Sequence, residues 1–195
     1  MSEARSRRAL PREVRIIGGQ WKRSKLPVPD IPGLRPTPDR VRVTLFNWLG
    51  HDLSGWRCLD AFAGSGALGF EAASRGAAEV VLLERDRVAS ALLQQTLERL
   101  KATSVRVERA DALAWMARSA PGRFDAVFLD PPFDSPLAGP AIAAAAAIVI
   151  PGGLVYVESQ QPLAAEEGAF PDLELVRQSR AGAVHFHLLR RAPNP

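Results

Sequence analysis

The sequence has few of the residues that form covalent cross-links and metal centres. Cys58 is the only cysteine among 195 residues, which excludes an intrachain disulfide. It falls within an apolar run, where a packed thiol is expected rather than a nucleophile. The three histidines, at positions 51, 185 and 187, have no metal-ligand spacing with cysteine or acidic residues, so we predict no metal site.

Long apolar segments are absent as well. No stretch is free of polar residues for the roughly 18 positions that a membrane helix needs. The longest candidate, Ala138–Ile150, is shorter, and its alanines suit a buried crossover helix. The basic N-terminus has no apolar segment of the secretory type, so the sequence predicts a cytoplasmic protein without a membrane partner.

Positive charge is concentrated at the start of the chain. Residues 1–42 hold eleven basic and four acidic residues, a formal charge of +7, whereas the remainder carries −3. A basic arm on a mildly acidic body is expected when one end meets phosphates, and the predominance of arginine favours nucleic acid. For residues 1–12 alone, a solvated tail is the favoured interpretation. The predicted RNA contacts are Arg7, Arg8, Arg12, Arg15, Lys22, Arg23 and Arg35.

Strand and helix patterns alternate from Trp56 onward, which indicates an α/β fold with a mostly parallel sheet and helices on both faces. An N-terminal unit, residues 1–50, should hold the basic arm, a hairpin and a docking helix that begins near Pro38 with Thr37 as its cap. Residues 51–195 form the second unit. The predicted strands are Val14–Ile17, Lys25–Val28, Trp56–Ala61, Glu79–Glu84, Val105–Val107, Phe124–Leu129, Gly153–Glu158 and a C-terminal hairpin of Leu173–Arg180 and Ala183–Leu189; the predicted helices of the second unit are Gly66–Arg75, Asp86–Lys101, Asp111–Arg118 and Ser135–Ile150.

A glycine-rich turn, Asp60–Gly66, follows the first apolar run of the second unit. In open α/β sheets, ligands bind at the carboxyl ends of the strands, which is where this turn lies. Gly64 and Gly66 lack the Cβ atoms that would keep a ligand away from the backbone. Together with Gly69 they also satisfy the dinucleotide pattern G-x-G-x-x-G, so a nicotinamide-dependent enzyme stays open.

Acidic residues at successive strand ends favour S-adenosylmethionine as the cofactor. The Asp60 carboxylate is placed to reach its ammonium group, whereas a pyrophosphate would be repelled. Glu84 suits the ribose hydroxyls, a role that nicotinamide enzymes share. Asp111 suits either of two roles, accepting a hydrogen bond from the adenine amino group or capping a helix. In the first role, Ala112 would supply a backbone N–H to the adenine. The cofactor-binding residues predicted from the turn and the strand ends are Asp60, Phe62, Gly64, Ser65, Gly66, Glu84, Asp111 and Ala112.

A second motif, Asp130-Pro131-Pro132-Phe133, follows a later apolar run and supplies the predicted catalytic residues. Two prolines fix two φ angles and hold the loop extended. An exocyclic amino group is a poor nucleophile, and acceptors aimed at its hydrogens, here the Asp130 carboxylate and the Pro131 carbonyl, favour its attack on a methyl group. Phe133 would stack on a base that is unpaired or flipped out. In isolation such a motif is equally a turn with a capping Asp and a core Phe; its place after a strand favours catalysis.

With these motifs the chain resembles the bacterial methyltransferases that modify guanine N2 in small-subunit (16S) ribosomal RNA. The resemblance runs from about Val14 to Arg190. It rests on Arg15-Ile16-Ile17-Gly18-Gly19, Leu34-Arg35-Pro36-Thr37, Asp39-Arg40-Val41-Arg42, Leu45-Phe46-Asn47, Cys58–Gly69 and Asp130–Phe133.

This resemblance implies a Rossmann-like class I S-adenosylmethionine-dependent methyltransferase fold, with a seven-stranded sheet and a C-terminal antiparallel hairpin. It also implies an RNA-binding N-terminal arm, action on the small ribosomal subunit rather than bare RNA, and positions for Arg35, Thr37 and Arg40 near the cofactor or target base. Two rivals stay open: an adenine-N6 methyltransferase of RNA or DNA, and a non-catalytic RNA-binding or ribosome-assembly protein. A monomer is the simplest expectation.

Overall fold

The computed structural model describes residues 13–31, 34, 37–133, 135–163, 170 and 172–193. The predicted RNA contacts Arg7, Arg8, Arg12 and Arg35 lie outside these residues. The strands are β1 (Glu13–Arg15), β2 (Lys25–Pro27), β3 (Arg57–Asp60), β4 (Glu79–Leu83), β5 (Val105–Glu108), β6 (Phe124–Leu129), β7 (Val149–Ser159), β8 (Leu173–Ala181) and β9 (Val184–Arg191). The helices are α1 (Asp39–Leu49), α2 (Ala67–Ser74), α3 (Arg87–Leu100), α4 (Ala112–Met116) and α5 (Ala138–Ile148). Over the described ranges, no helix has the length and apolar character needed to cross a membrane.

The main sheet has seven strands in the order β5-β4-β3-β6-β7-β9-β8, and β1 and β2 form a separate antiparallel pair. Strands β3 to β7 pair in parallel, and the hairpin of β8 and β9 joins antiparallel. The predicted α/β fold with a C-terminal antiparallel hairpin is therefore confirmed. The chain passes from β3 to β4 and β5 on one side and then places β6 on the other side. This reversal makes the carboxyl ends of β3 and β6 the point where open α/β sheets bind ligands.

Alternate residues of the central strands supply apolar layers on the two faces of the main sheet. On β6, Phe128 packs in the layer with α1, α2 and α3, whereas Val127 and Leu129 pack in the layer with α4 and α5. Small side chains on α5, including the fully buried Ala141 and Ala145, face the second layer. Helices on both faces therefore hold the strand ends that carry the site.

The N-terminal hairpin is fixed to α2 by polar contacts. The Glu71 carboxylate on α2 accepts the backbone N–H groups of Ile17 and Gly18 at 2.7 and 2.8 Å. Gly19 has φ +73°, and a Cβ there would lie 1.8 Å from the Ser74 carbonyl oxygen, so glycine permits this close approach. The connector after β2 is consequently anchored at its start, and it leads to the carboxyl edge of the main sheet.

The cap predicted for the first helix is wrong. α1 begins at Asp39, and Pro38 occupies the cap position without a side-chain cap hydrogen bond. Pro38 has ψ 146°, an extended value, so the helix starts one residue later than expected. The Thr37 hydroxyl instead donates a hydrogen bond to Asp130.

The last crossover helix is shorter than predicted. It spans Ala138–Ile148, where the sequence suggested Ser135–Ile150. The β-branched residues Val149 and Ile150 belong to β7, and Val149 pairs with Phe124 of β6. Pairing with a neighbouring strand therefore decides a boundary that the alanine-rich sequence left ambiguous.

Candidate active site

The end of β3 forms the first part of the site. Asp60, the last residue of that strand, is 2% exposed, and its Oδ2 accepts the Gly69 N–H at 2.9 Å. Burial raises the pKa of Asp60 to about 7, and the hydrogen bond from Gly69 opposes this rise. The nearby carboxylates of Asp130 and Glu84 raise the pKa further. Several acidic side chains are therefore close together in this part of the structure.

The turn after Asp60 requires glycine because of its backbone conformation and its close packing. Gly66 has φ 76° and precedes the first residue of α2. A Cβ at Gly66 would lie 2.6 Å from the Phe70 ring, so both conformation and space require glycine. Ser65 is buried, and Phe62 is half-buried against the second apolar layer.

Glu84 ties this turn to the end of β4. Its Oε2 accepts the Gly64 N–H at 2.9 Å, and its Oε1 accepts the Asp86 N–H at 2.8 Å. Each carboxylate oxygen has a second lone pair, so Glu84 keeps acceptor capacity for the hydroxyl groups of a ligand. One side chain thus shapes the turn and joins it to the end of β4.

Asp111 lies beyond the end of the next strand, β5. Its Oδ1 accepts the Ala114 N–H at 2.9 Å, which makes it the N-cap of α4. Of the two roles that the sequence left open for Asp111, the cap is the one that its contacts show. Ala112, the first residue of α4, is buried.

The Asp-Pro-Pro-Phe loop leaves the neighbouring strand, β6. Because Asp60 pairs with Phe128 across the parallel strands β3 and β6, the loop begins beside the glycine-rich turn. Asp130 is half-buried, and burial together with the charge of Glu158 raises its pKa well above the usual range. Pro131 is buried and Phe133 half-buried, which leaves one proline, Pro132, exposed.

The connector between β2 and α1 touches both parts of the site. Thr37 Oγ1 donates a hydrogen bond to Asp130 Oδ2 at 3.3 Å. Earlier in the connector, the Leu34 side chain lies over the turn, 3.4 Å from where a Cβ of Gly64 would stand. Arg40, three residues after Thr37, is exposed in the first turn of α1. The connector therefore contributes to the site.

Two residues of β7, Tyr156 and Glu158, were missed by the sequence reasoning. Glu158 is 2% exposed, and the Tyr156 hydroxyl donates a hydrogen bond to its Oε1 at 2.9 Å. Burial raises the pKa of Glu158 to about 7. The available signal was an acid at the end of an apolar strand, two residues after a tyrosine, since that spacing places both side chains on one face.

The basic residues of the hairpin lie away from this cluster. Arg15, Lys22 and Arg23 are exposed, and the hairpin turn contacts the C-terminal end of α2. Because α2 starts at the carboxyl edge of the sheet and runs back, that contact is at the opposite edge from Asp130. Among the residues that the structure describes, no group of three or more His, Cys, Asp or Glu side chains could hold a metal ion.

Comparison with protein families matches residues 14–190 to the family described as conserved hypothetical protein 95. The chain is 44% identical over 185 residues to ribosomal RNA small subunit methyltransferase D of Escherichia coli K12, which covers 92% of this chain and 90% of that protein. It is 42% identical over 183 residues to the protein of the same name from Haemophilus influenzae, with 90% and 93% covered.

Solved structures give the same relationship at the level of the fold. The Escherichia coli protein yhhF superposes with a TM-score of 0.80 at 40% identity, over 93% of this chain and 99% of that one. TrmN from Thermus thermophilus superposes with a TM-score of 0.64 over 77% of this chain and 48% of its own, and at 23% identity it shares the fold alone.

Proposed function

The chain belongs to the conserved hypothetical protein 95 family, with the ribosomal RNA small subunit methyltransferases D, and on this basis we propose that it transfers a methyl group from S-adenosylmethionine to guanine N2 in 16S ribosomal RNA. Its fold is that of class I methyltransferases. The observation that carries the proposal is the adjacency of Asp60 and Asp130, which brings the glycine-rich turn and the Asp-Pro-Pro-Phe loop together where the sheet order reverses.

The electrostatics of the site fit a cationic cofactor. Asp60, Asp130 and Glu158 each have a raised pKa because burial disfavours their charged forms. A cation bound among them would offset that cost, and S-adenosylmethionine carries a sulfonium and an ammonium group. The pyrophosphate of a nicotinamide dinucleotide would add negative charge to the same place, which disfavours the dehydrogenase alternative.

Residues of the first half of the site would hold this cofactor. Asp60 would accept from its ammonium group, and Glu84 from its ribose hydroxyls, using the lone pairs that the backbone bonds leave. Backbone groups of Gly64–Gly66 and Ala112 would line the remaining contacts. When bound, S-adenosylmethionine supplies a methyl group on a positively charged sulfur.

The Asp-Pro-Pro-Phe loop would prepare the nitrogen that accepts the methyl group. The Asp130 carboxylate and the Pro131 carbonyl accept hydrogen bonds from the amino group and draw its lone pair out of conjugation with the ring. Phe133 stacks on the base and fixes its plane. Asp130 would also receive the proton that the methylated nitrogen releases.

A carboxylate in this position favours guanine over adenine. Guanine presents adjacent N1–H and N2–H donors, and one carboxylate accepts both. Adenine offers an unprotonated N1 beside its amino group, and a carboxylate facing that nitrogen meets a second acceptor. Asp130 therefore supports guanine N2 as the target, as the sequence resemblance implies.

The basic residues support a large RNA-containing substrate. Arg15, Lys22 and Arg23 are exposed on the hairpin, at the edge of the sheet opposite Asp130. Phosphate contacts there would place RNA around the molecule while the target base enters the site, as expected for a folded ribosomal subunit rather than a short strand.

Methyl transfer from labelled cofactor tests the substrate class. Small ribosomal subunits from a strain that lacks this enzyme, naked 16S RNA and duplex DNA would be offered separately, and incorporation measured in each. We expect the label in the subunits and little in DNA. Incorporation only into DNA, or none despite measurable cofactor binding, would contradict the proposal.

A further inference from the structure

We propose that Glu158 is a positioning residue for methyl transfer, which holds the Asp130 carboxylate in place together with Tyr156 and Thr37 and does not touch the substrate. This inference rests on the proposed function, because it assigns Asp130 to the reacting amino group. It concerns one face of the sheet where β6, β7 and the connector meet.

The strand register places the two acids side by side. β6 and β7 pair Phe128 with Tyr156, and their rings lie 6.5 Å apart in an edge-on arrangement. Two residues after this pair come Asp130, directly after the end of β6, and Glu158 on β7, and continued alternation along both chains puts them on the same face. The charge of Glu158 contributes to the raised pKa of Asp130, which fits this proximity.

Hydrogen bonds from two hydroxyl groups complete the cluster. Tyr156 donates to Glu158 Oε1 at 2.9 Å, and Thr37 donates to Asp130 Oδ2 at 3.3 Å. The Thr37 hydroxyl also stabilises the charged form of Glu158 and lowers its pKa. Thr37 interacts with both acids, and at 6% exposure its hydroxyl has little access to water.

Two carboxylates this close resist double ionisation, so the pair retains one proton over a pH range in which isolated acids are charged. Burial is the largest cause of the raised pKa of both acids, and the charge of Glu158 raises the pKa of Asp130 further. A proton on Asp130 would leave no carboxylate for the amino group, so the reacting arrangement has the shared proton on Glu158. Neutral Glu158 and the hydroxyl of Thr37 then support an ionised Asp130.

Two other residues lie next to Glu158, a further acid and an aromatic residue. Asp60, from the end of β3, adds a further negative charge that raises the pKa of Glu158. β9 places the apolar Phe186 opposite Glu158. Because Oε1 of Glu158 accepts the Tyr156 hydroxyl, a proton on Glu158 lies on its other oxygen, from which it can be donated to a neighbouring carboxylate or to the Thr37 oxygen.

Two substitutions separate positioning from packing. Glu158→Leu keeps the volume but removes the hydrogen-bonding group, and we expect kcat to fall about 10- to 100-fold while the KM for S-adenosylmethionine stays within about threefold. Glu158→Gln imitates the protonated acid, and we expect it to recover most of the turnover lost in the leucine variant. Equal losses in both variants, or unchanged turnover in Glu158→Leu, would overturn the inference.

A matched control comes from the far side of the sheet. Glu108 on β5 also accepts a hydrogen bond from an aromatic side chain, the Trp115 Nε1–H at 2.6 Å, but it pairs with Arg106 outside the site. Glu108→Gln should leave kcat within about twofold. A loss as large as that of Glu158→Leu would show that the assay reports general stability.

A second readout needs no substrate. Carbon-13 NMR titration of the side-chain carboxyl groups in the ligand-free protein would follow Asp130 and Glu158. We expect the pKa of Glu158 to fall in Asp130→Asn, because the repulsion between the acids is lost. An unchanged pKa of Glu158 would overturn the inference even if the protein methylates RNA. Wild-type protein that shows this coupling but methylates no subunit would instead count against the proposed function.

Discussion

The Thr37 hydroxyl donates a hydrogen bond to Asp130 Oδ2 at 3.3 Å, across 93 positions of the chain. This contact joins the connector of the N-terminal unit to the loop proposed to carry out the chemistry. It stabilises the charged form of Asp130 and opposes the rise in its pKa that burial and Glu158 cause. The connector therefore takes part in setting the charge of the site.

Replacing Thr37 by valine should remove this stabilisation. The pKa of Asp130 then rises, so at a given pH a smaller fraction is ionised. Because the account requires the carboxylate, the ratio of wild-type to variant rate should grow as the pH falls, and measurement of kcat between pH 6 and 8.5 would show it.

Thr44→Val serves as the control for that substitution. The Thr44 hydroxyl bonds the Arg40 carbonyl on the outside of α1 and has no part in the site. If the two valine variants show the same pH dependence, the role assigned to Thr37 is wrong.

Replacing Asp130 by alanine tests the acceptor directly. Single-turnover methyl transfer should slow by about 100- to 1,000-fold, the range found when one preorganised transition-state hydrogen bond is removed. The Kd for S-adenosylmethionine, measured by calorimetry, should change far less than the rate, since Asp60 and Glu84, which are proposed to contact the cofactor, are untouched. Unchanged turnover would refute the catalytic role of Asp130.

Replacing Gly66 by alanine should destabilise the fold and abolish cofactor binding. The left-handed backbone alone costs about 1 kcal/mol, and the Cβ would also collide with Phe70 and Leu93. Gly122 has a similar φ of +60° but open space around it. The Gly122→Ala variant therefore measures the free-energy cost of the left-handed backbone without a collision. Denaturant unfolding should give a clearly larger loss for Gly66→Ala, and equal losses would contradict the packing described for the turn.

The ligand-free protein should lose stability as the pH rises from about 4 to 7. Burial raises the pKa of Asp60 in the folded protein to about 7, so the folded state binds a proton that the unfolded state has released. Asp60→Asn removes this effect and should raise the Tm at pH 8 relative to wild type while weakening cofactor binding. Thermal unfolding of both proteins at pH 5 and pH 8 measures the pH dependence and the effect of the substitution. A Tm for Asp60→Asn below that of wild type at pH 8 would contradict the expected effect.

Charge reversal at Arg7, Arg8 and Arg12 tests the N-terminal arm, which lies outside the described residues. If these residues bind phosphates, affinity for RNA should fall, and the slope of log K against log salt should decrease by about 0.7 to 0.9 for each phosphate that is no longer neutralised. Binding measured from 50 to 300 mM salt would give the slope. An unchanged slope would favour the solvated tail.

Local sequence patterns predicted that the two motifs of the site lie together, because each motif directly follows a strand. Asp60 and Asp130 each come after an apolar run, and the rules of parallel sheets bring such ends to one edge. The resemblance implied a place for Thr37 near the cofactor or target base, but its hydrogen bond to Asp130 and the position of Glu158 escaped prediction because the partners are distant in sequence. The proline-rich connector indicated a helix cap for Thr37. The sequence around Glu158 indicated only the polar end of a strand. The register of β6 and β7 is what brings Glu158 close to Asp130.

Identification of the methylated nucleoside tests the central claim most directly. Small subunits methylated by the wild-type protein would be digested to nucleosides and analysed by mass spectrometry against standards. We expect N2-methylguanosine as the product in 16S RNA. N6-methyladenosine, or the absence of any new methylated nucleoside, would contradict it.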